Sequence, residues 1–261
     1  MKCKIIIGLL ILSLSVVFPV ISAEQNVMGQ DIDIIFLNLP NGEATLIKLE
    51  TGDNILINTG AKASIESLVF QLEELTVTEI DRLIVTSTTE EYSGNTEAII
   101  KKFNVRNLLL PDNFNLKEEQ LLKKTNIKYW SAIEKLSLSS KMKIINIDEN
   151  SHGDATFLLE YGKESVLFLN DKNTSIEEKL FKNMHQIDII KIAAFGSGNS
   201  PTPHLLEQLD PYIGIIFHSP THNINEDLVE RLAASWIDVY FLKQTGSVYI
   251  RLSKDDYELL S

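Results

Sequence analysis

The sequence predicts an α/β (α+β) chain in which two β-sheets pack face to face and helices cover both, giving a four-layer αββα sandwich. Strand and helix signals alternate from Ile32 to the end of the 261-residue chain. The strand-rich segments fall into two halves of similar style, with helical segments between them. Sheets and helices must bury their apolar faces against other elements, so this order predicts stacked layers around a shared core.

The first half is predicted to contain four strands and two helices. Asn41-Gly42 and residues 51–54 (TGDN) supply the turn residues that join the first three strands. Leucines recur at helical spacing after Ser64, which is expected to cap the first helix. The predicted strands are 34–37, 44–49, 54–57 and 82–86, and the predicted helices are 64–75 and 95–103.

The second half repeats the alternation with more strands. Ser175 is expected to cap a helix whose first turn carries Glu177 and Glu178, where the helix dipole favours negative charge. Residues 113–138 carry weaker signals, which predict one helix over 116–124 and irregular chain. The predicted strands are 143–147, 155–161, 165–169, 188–193, 214–217, 239–242 and 248–252, and the predicted helices are 175–184, 203–209 and 225–234.

The N-terminal segment has the pattern of a targeting sequence. Lys2 and Lys4 form a short positive region before a nearly continuous apolar run over residues 5–18. The small residues before Glu24 resemble a signal-peptidase site. We therefore expect a bacterial protein that is secreted or lies on the outer face of the cytoplasmic membrane. Membrane contact is expected only through an uncleaved segment. The predicted divisions are a signal peptide over 1–23, a linker over 24–31 and one domain over 32–261.

Charge and cysteine content exclude several classes of function. The net charge is −12, and an acidic surface repels phosphate backbones, so no nucleic-acid partner is expected. Cys3 is the only cysteine and precedes the apolar run. The mature chain would then lack thiols, which excludes thiolate metal sites and cysteine nucleophiles.

Five short phrases occur in the order found in a known fold. They are residues 37–44 (LNLPNGEA), 56–60 (LINTG), 86–92 (TSTTEEY), 170–171 (ND) and 194–197 (AFGS). This series resembles the metallo-β-lactamase fold, and most of all the hydrolase-like domain of ComEC-type competence DNA-uptake proteins. The resemblance spans about residues 34–252 and implies the same αββα sandwich.

The resemblance also implies where zinc ligands would stand, and this chain departs from the family at most of those positions. Phenol and hydroxyl groups are poor ligands of Zn²⁺ at neutral pH, and a phenylalanine is not a ligand. Only two of the positions keep a carboxylate. We therefore expect that zinc is lost, that no cofactor is bound and that no residue is catalytic. The degenerate positions are Ser87, Thr89, Glu91, Tyr92, Asp171 and Phe195.

Together these expectations predict an exported, catalytically inactive protein of the metallo-β-lactamase fold. It would act as a binding or envelope-associated module, with an envelope protein as a candidate partner. The alternative is a divergent, phosphoesterase-like hydrolase in which Glu91, Asp171 and His222 hold a single Mg²⁺ or Ca²⁺ ion. A purely structural protein without a ligand is a third interpretation, which the sequence does not separate from the first.

Overall fold

Two β-sheets packed face to face form the centre of the computed structural model, which describes residues 31–117, 124–184, 186–253 and 256–260. The predicted signal peptide over 1–23, nearly all of the predicted linker and most of the predicted helix over 116–124 lie outside this range. None of the helices in the described part of the chain is long and apolar enough to cross a membrane.

The first sheet combines strands from the start, the first half and the end of the chain. Its order is β15-β14-β1-β2-β3-β4-β5-β6. Strands β3 to β6 are parallel, while β1 and β2 pair antiparallel with their neighbours. Its strands are β1 Ile32–Leu37, β2 Ala44–Lys48, β3 Asn54–Ile57, β4 Arg82–Ile84, β5 Asn107–Leu110, β6 Asn126–Tyr129, β14 Val248–Leu252 and β15 Tyr257–Leu260.

The second sheet is built from consecutive strands of the second half. Its order is β13-β12-β11-β10-β9-β8-β7. Strands β10 to β13 are parallel, and β7 to β9 form an antiparallel meander that leads into β10. Its strands are β7 Lys135–Ser137, β8 Met142–Glu149, β9 Ala155–Tyr161, β10 Glu164–Phe168, β11 Ile189–Lys191, β12 Ile213–Ile216 and β13 Asp238–Phe241.

Helices connect the parallel strands and cover the outer faces of both sheets. The described helices are α1 Ile65–Glu74, α2 Glu90–Ser93, α3 Thr96–Lys102, α4 Glu177–Asn183, α5 Pro203–Leu209, α6 Glu226–Ala234 and α7 Leu242–Thr245. Leu68 and Leu72 of α1 are buried against the first sheet, and Leu206 and Leu232 of α5 and α6 are buried against the second. These three helices thus hide apolar stripes that could not remain in water.

A third apolar cluster fills the space between the sheets. Phe157 and Phe168 stack there with ring centroids 4.7 Å apart, and Phe36 approaches Phe168 from the first sheet at 6.1 Å. The three clusters lie between four layers, helix, sheet, sheet and helix. The predicted αββα sandwich is therefore confirmed.

The parallel strands of both sheets end at the same end of the sandwich. Lys191 at the end of β11 contacts Glu43, which lies between the end of β1 and the start of β2. We call this end the site end, and the opposite end, where these parallel strands begin, the far end. In sheets with parallel strands, ligand sites usually lie at the carboxyl ends of the strands.

Several local predictions were wrong. The sequence reading missed β5, β6, β7 and β15, which are short strands of three or four residues. Ser64 precedes α1, but its hydroxyl donates to the Asn41 carbonyl at 2.7 Å and makes no capping bond. Ser175 lies inside a 3₁₀ turn, and α4 begins at Glu177 after Ile176. Neither helix start is therefore capped by the side chain of the predicted serine.

Candidate functional site

A cavity of about 270 Å³ opens at the site end, between the loops that follow β4, β8, β10 and β11. Its wall mixes carboxylate, amide, imidazole and aromatic side chains. The residues that line it are Thr89, Glu91, Tyr92, Asn150, His152, Asp154, Asn170, Asp171, Lys172, Asn173, Ala194, Phe195 and His222. The structure thus places five of the six predicted positions on this wall, together with His222.

The loop after β4 is held by hydrogen bonds among its own polar groups. The Thr86 amide donates to Asn58 Oδ1 at 2.9 Å, which fixes the start of the loop in the protein interior. The Ser87 and Thr89 hydroxyls lie 3.2 Å apart and bond to each other. Ser87 is buried and is absent from the cavity wall. Both hydroxyls at predicted ligand positions are therefore used to shape the loop.

Glu91 faces the cavity from α2, and a close approach of two chain segments positions this helix. Gly42 has φ +94°, and a Cβ atom there would lie 2.1 Å from the Glu91 carbonyl oxygen. The Glu43 amide donates to that same carbonyl at 3.0 Å. The Glu91 carboxylate accepts a hydrogen bond from the Thr221 hydroxyl at 3.3 Å. Only glycine allows the backbone contact that fixes the helix here.

Tyr92 is buried, and its ring forms part of the cavity wall. Its centroid lies 5.5 Å from that of Phe195, and the Lys191 ammonium lies 5.6 Å from the Tyr92 centroid. Burial, followed by the charges of Glu43 and Asp154, raises the pKa of Tyr92 well above its ordinary value of 10.0. The phenol therefore keeps its proton across the physiological range.

The loop after β11 places Phe195 in the wall through an unusual backbone. Ala194 and Phe195 have φ of 47° and 57°, and Gly196 follows at 77°. For residues other than glycine, the left-handed region costs about 1–2 kcal/mol per residue. Phe195 is 1% exposed, and its ring contacts Tyr92 on one side and His222 on the other, 4.9 Å away. This backbone holds an apolar ring at a predicted ligand position.

Asp171 is buried and already accepts several hydrogen bonds. Its Oδ1 accepts from the Asn173 amide at 2.9 Å and from Asn173 Nδ2 at 2.8 Å. Its Oδ2 accepts from Asn150 Nδ2 at 3.1 Å, and the same Nδ2 also donates to Asp154 at 3.2 Å. Amide groups therefore compensate the two carboxylates on this side of the cavity.

His222 lies in the loop after β12, beside a second cavity of about 220 Å³. Its Nδ1 lies 3.1 Å from the Thr221 hydroxyl and 3.2 Å from that of Ser219. His218, in the same loop, lines only the second cavity, and burial followed by the Lys243 charge lowers its pKa. Phe195 and His222 line both cavities and so separate them.

The alternative cation site requires Glu91, Asp171 and His222 to converge. All three line the first cavity. In the part of the chain that the structure describes, however, no three His, Cys, Asp or Glu side chains are grouped so that they could hold a metal ion. The three residues therefore share a wall without forming a common ligand cluster.

Directly beneath the cavity, a buried ion pair joins the two sheets. Lys191 Nζ donates to Glu43 Oε2 at 3.1 Å and also to Asn170 Oδ1, and the Lys191 side chain is fully buried. Asn58 Nδ2 donates to the other Glu43 oxygen at 2.6 Å and to the Thr86 hydroxyl at 2.9 Å. Each of these buried polar side chains thus has a hydrogen-bond partner, as buried polar groups in folded proteins generally do.

Burial opposes the charge on both members of this pair. It lowers the pKa of Lys191 and raises that of Glu43, while the attraction between the two charges acts in the opposite direction on each. Neither residue was among the predicted site residues. One signal was present, because Lys191 interrupts an otherwise apolar run over residues 189–194, and a lysine in a buried strand needs a partner.

Comparison with known proteins yields relatives in sequence and in structure. No family model matches the chain. It is 26% identical over 234 residues to Recombination protein 2 of Haemophilus influenzae, covering 85% of this chain and 29% of that protein. It is 22% identical over 273 residues to ComE operon protein 3 of Bacillus subtilis, covering 90% and 34%. The chain thus spans about a third of the length of these relatives. These matches confirm the predicted resemblance to ComEC-type proteins.

Solved structures establish the fold. The metallo-β-lactamase fold protein YhfI of Bacillus subtilis matches 80% of this chain and 96% of its own length, with a TM-score of 0.59 and 10% identity. A metallo hydrolase from Ignicoccus hospitalis matches 88% and 99%, with a TM-score of 0.57 and 10% identity. A mutant CmlA beta-hydroxylase matches 85% and 54%, with a TM-score of 0.60 and 14% identity. The chain has the metallo-β-lactamase fold.

Proposed function

We propose that this chain is an exported, catalytically inactive protein of the metallo-β-lactamase fold that acts as a binding module at the cell envelope. The contact of Phe195 with Tyr92 and His222 is the observation that carries the proposal. The rings pack at positions where the resemblance implies metal ligands. A wall built this way suits binding more than hydrolysis, because it presents apolar surface where a hydrolase needs an activated water.

The side chains present do not suit a zinc centre. Zinc sites in hydrolases use three protein ligands of imidazole or carboxylate type and keep one position open for water. Phe195 has no donor atom, and Tyr92 keeps its proton because burial raises its pKa. The hydroxyls of Ser87 and Thr89 bond to each other. The proposed binding function therefore includes no metal-dependent reaction.

The cavity is the proposed binding site, and its chemistry favours a small ligand that donates hydrogen bonds. Glu91 and Asp154 supply carboxylate acceptors, while Tyr92 and Phe195 supply aromatic surface. A volume of about 270 Å³ is near the lower limit of ligand pockets. Such a cavity accepts a small molecule or a single side chain of an envelope protein.

The envelope location is supported by the targeting pattern of residues 1–23. Charge also fits this proposal, because the net charge of −12 disfavours a nucleic-acid partner. Fractionation of cells that express the full chain is the direct test. Recovery in the periplasmic, secreted or membrane fraction supports the proposal, and recovery in the cytoplasm alone contradicts it.

Metal analysis tests the inactive site. The purified full chain is incubated with zinc, dialysed to remove unbound ion and analysed by mass spectrometry. We expect it to retain far less than one equivalent of zinc per chain. The matched control restores the family's side chains with Ser87→His, Glu91→Asp, Tyr92→His and Phe195→His, and this variant should gain zinc because the loops that present these positions remain. Two equivalents of zinc in the unmodified chain, together with phosphodiesterase activity, would contradict the proposal.

The single-cation hydrolase stays a testable alternative. Titration of the full chain with Mg²⁺ and with Ca²⁺ by calorimetry separates it from the binding module. A saturable signal that Asp171→Asn abolishes would favour the hydrolase. We expect no such signal, since the carboxylate of Asp171 is already compensated by amide donors.

A further inference from the structure

Trp236 occupies a position that ordinarily favours glycine. It follows α6 with φ 59°, its amide donates to the Ala233 carbonyl at 3.2 Å, and the Ile237 amide donates to that of Leu232 at 3.3 Å. This is the left-handed C-terminal cap, where a bulky residue is strained. The side chain is nevertheless 94% exposed. The fold therefore gains little from burying this tryptophan, so its presence calls for a role outside the fold.

A second exposed aromatic residue lies just before the neighbouring strand, β12. Tyr212 is 58% exposed. The Asp238 amide donates to the Tyr212 carbonyl at 2.9 Å, which joins the chain segments that lead into β12 and β13. Both aromatic residues precede strands that run toward the cavity, so both lie at the far end of the sandwich.

The N-terminal segment enters the fold at this same end. Strand β1 is antiparallel to β2, which is antiparallel to β3, so Ile32 lies at the far end. Ile32 pairs with Leu252, and Leu252 pairs with Tyr257 on the next strand. Neighbouring strands are about 4.8 Å apart, which places Ile32 about 10 Å from Tyr257.

The start of β1 and the exposed aromatic residues lie at the same end of the sandwich. Ile32 begins β1 there, and Tyr212 and Trp236 precede β12 and β13 there. The exposed aromatic rings therefore lie at the end of the sandwich where the described chain begins. The N-terminal segment contains the apolar run over residues 5–18.

We propose that the far end rests on the outer surface of a lipid bilayer, with Trp236 and Tyr212 in the headgroup region and the cavity facing away. Tryptophan and tyrosine are enriched at this depth because their rings combine apolar area with a polar atom. The proposal goes beyond the binding function and rests on its envelope location. It fixes the orientation in which the cavity meets its ligand or partner.

The negative charge of the far end determines which lipid headgroups it can bind. Asp188, Asp210 and Asp238 lie beside the two aromatic residues at the starts of β11, β12 and β13. Carboxylates are repelled by anionic headgroups over about one Debye length. The contact should therefore form on zwitterionic lipid and weaken as anionic lipid is added, with salt partly restoring it.

Tryptophan fluorescence can test the contact in the full chain. The chain has two tryptophans, and Trp130 is fully buried. The chain is reconstituted in phosphatidylcholine vesicles with bromine on the acyl chains near the headgroup. The same measurement on Trp236→Phe gives the emission of Trp130, which is subtracted. We expect the emission of Trp236 to be quenched by the brominated lipid, shifted to shorter wavelength and protected from aqueous iodide.

The opposite pattern overturns the proposal. Emission at the wavelength of exposed tryptophan, full quenching by iodide and none by brominated lipid would show that Trp236 faces water. A shift that appears only in native membranes, and not in pure lipid vesicles, would assign the surface to a protein partner and also overturn it. Phosphatidylglycerol at a third of the lipid should reduce the quenching, and an increase would contradict the charge argument.

A second variant separates loss of contact from loss of folding. Trp236→Gly relieves the left-handed backbone, so this variant should unfold at the same or a higher temperature than the unmodified chain. In a chain that also carries Cys3→Ser, a bromine-quenchable probe is attached at Tyr212→Cys, and the quenching of this probe should fall when Trp236→Gly is added. Unchanged quenching would remove Trp236 from the contact. Zinc analysis of the same preparations reads the proposed inactive site independently of these outcomes.

Discussion

Lys191 and Glu43 join the two sheets at the site end, although neither side chain reaches the surface. Their side chains are 0% and 3% exposed, and their contact crosses from one sheet to the other. Two charges that leave water pay a desolvation cost, which hydrogen bonds from Asn58 and to Asn170 reduce. Residues at this scale therefore determine how the two sheets are joined beneath the cavity.

Removing one member of the pair should destabilise the protein strongly. Lys191→Met leaves the Glu43 carboxylate buried without its counter-ion, and the free energy of unfolding should fall by about 3–5 kcal/mol. Urea denaturation followed by circular dichroism measures the change. The double variant Lys191→Met with Glu43→Gln should recover part of the loss. Lys102→Met, which removes an exposed pair with Glu73, should cost no more than about 1 kcal/mol.

Tyr92 should make stability fall at alkaline pH. Its pKa is raised above 10.0 in the folded state. Above pH 10 the unfolded chain therefore releases this proton while the folded chain keeps it, so stability falls as pH rises. One group contributes a slope of at most about 1.4 kcal/mol per pH unit. We expect Tyr92→Phe to remove that slope between pH 10 and pH 11 in urea titrations.

A matched control distinguishes Tyr92 from the general effect of alkaline pH. Tyr129 is 40% exposed on β6. Tyr129→Phe should keep the slope of the unmodified chain. Equal slopes in the unmodified chain and in Tyr92→Phe would show that Tyr92 ionises as freely in the folded protein as in the unfolded one.

At the scale of elements, loops at the carboxyl ends of strands carry the site, and helices only fix their geometry. The loop after β4 is shaped by hydroxyl contacts, whereas the loop after β11 is shaped by consecutive left-handed residues. Such backbone strain persists only where surrounding packing determines it. Here Phe195 supplies that packing through its contacts with Tyr92 and His222.

Relieving the strain in this loop should stabilise the chain. Ala194→Gly removes the left-handed penalty at φ 47°, and the free energy of unfolding should rise by up to about 1 kcal/mol. Ala98→Gly in the middle of α3 is the control, and it should lower the free energy by about 0.5–1 kcal/mol. If both changes destabilise to the same degree in urea titrations, then the Ala194 backbone is not strained.

At the scale of the whole molecule, the sandwich has two ends with different properties. The site end presents a cavity with carboxylates and aromatic rings, and the far end presents Trp236 and Tyr212 and holds the start of β1. Parallel strands in both sheets create this division, because all of them begin at one end and finish at the other. Binding and attachment can therefore occupy separate surfaces.

Much of the fold was predictable, and the failures have physical causes. Long strands with apolar patterns, such as β9, were predicted within a residue or two of their observed ends. Strands of three or four residues, such as β6 and β7, carry too few positions for a pattern, and pairing with neighbours determines them. The hydroxyl of Ser64 indicates a helix start locally, but its contact with the Asn41 carbonyl takes precedence.

The candidate site was predictable in composition and only partly in geometry. The sequence marked Thr89, Glu91, Tyr92, Asp171 and Phe195, and the structure brings all of them to one cavity. It gave no means to place Asn150 and Asp154 beside Asp171, since that contact depends on the turn after β8. Nor did it identify the Lys191–Glu43 pair, whose members are 148 residues apart.

The sequence by itself determined the αββα sandwich and the residue types in the loops of the site end, because apolar periodicity and residue identity are local properties of the chain. The tertiary structure alone decided that Phe195 packs between Tyr92 and His222, that Lys191 and Glu43 meet beneath the cavity, and that Ile32 and Trp236 lie at one end. These facts depend on strand order and direction in two sheets. Pairing across long separations sets both, and no short stretch of sequence encodes it.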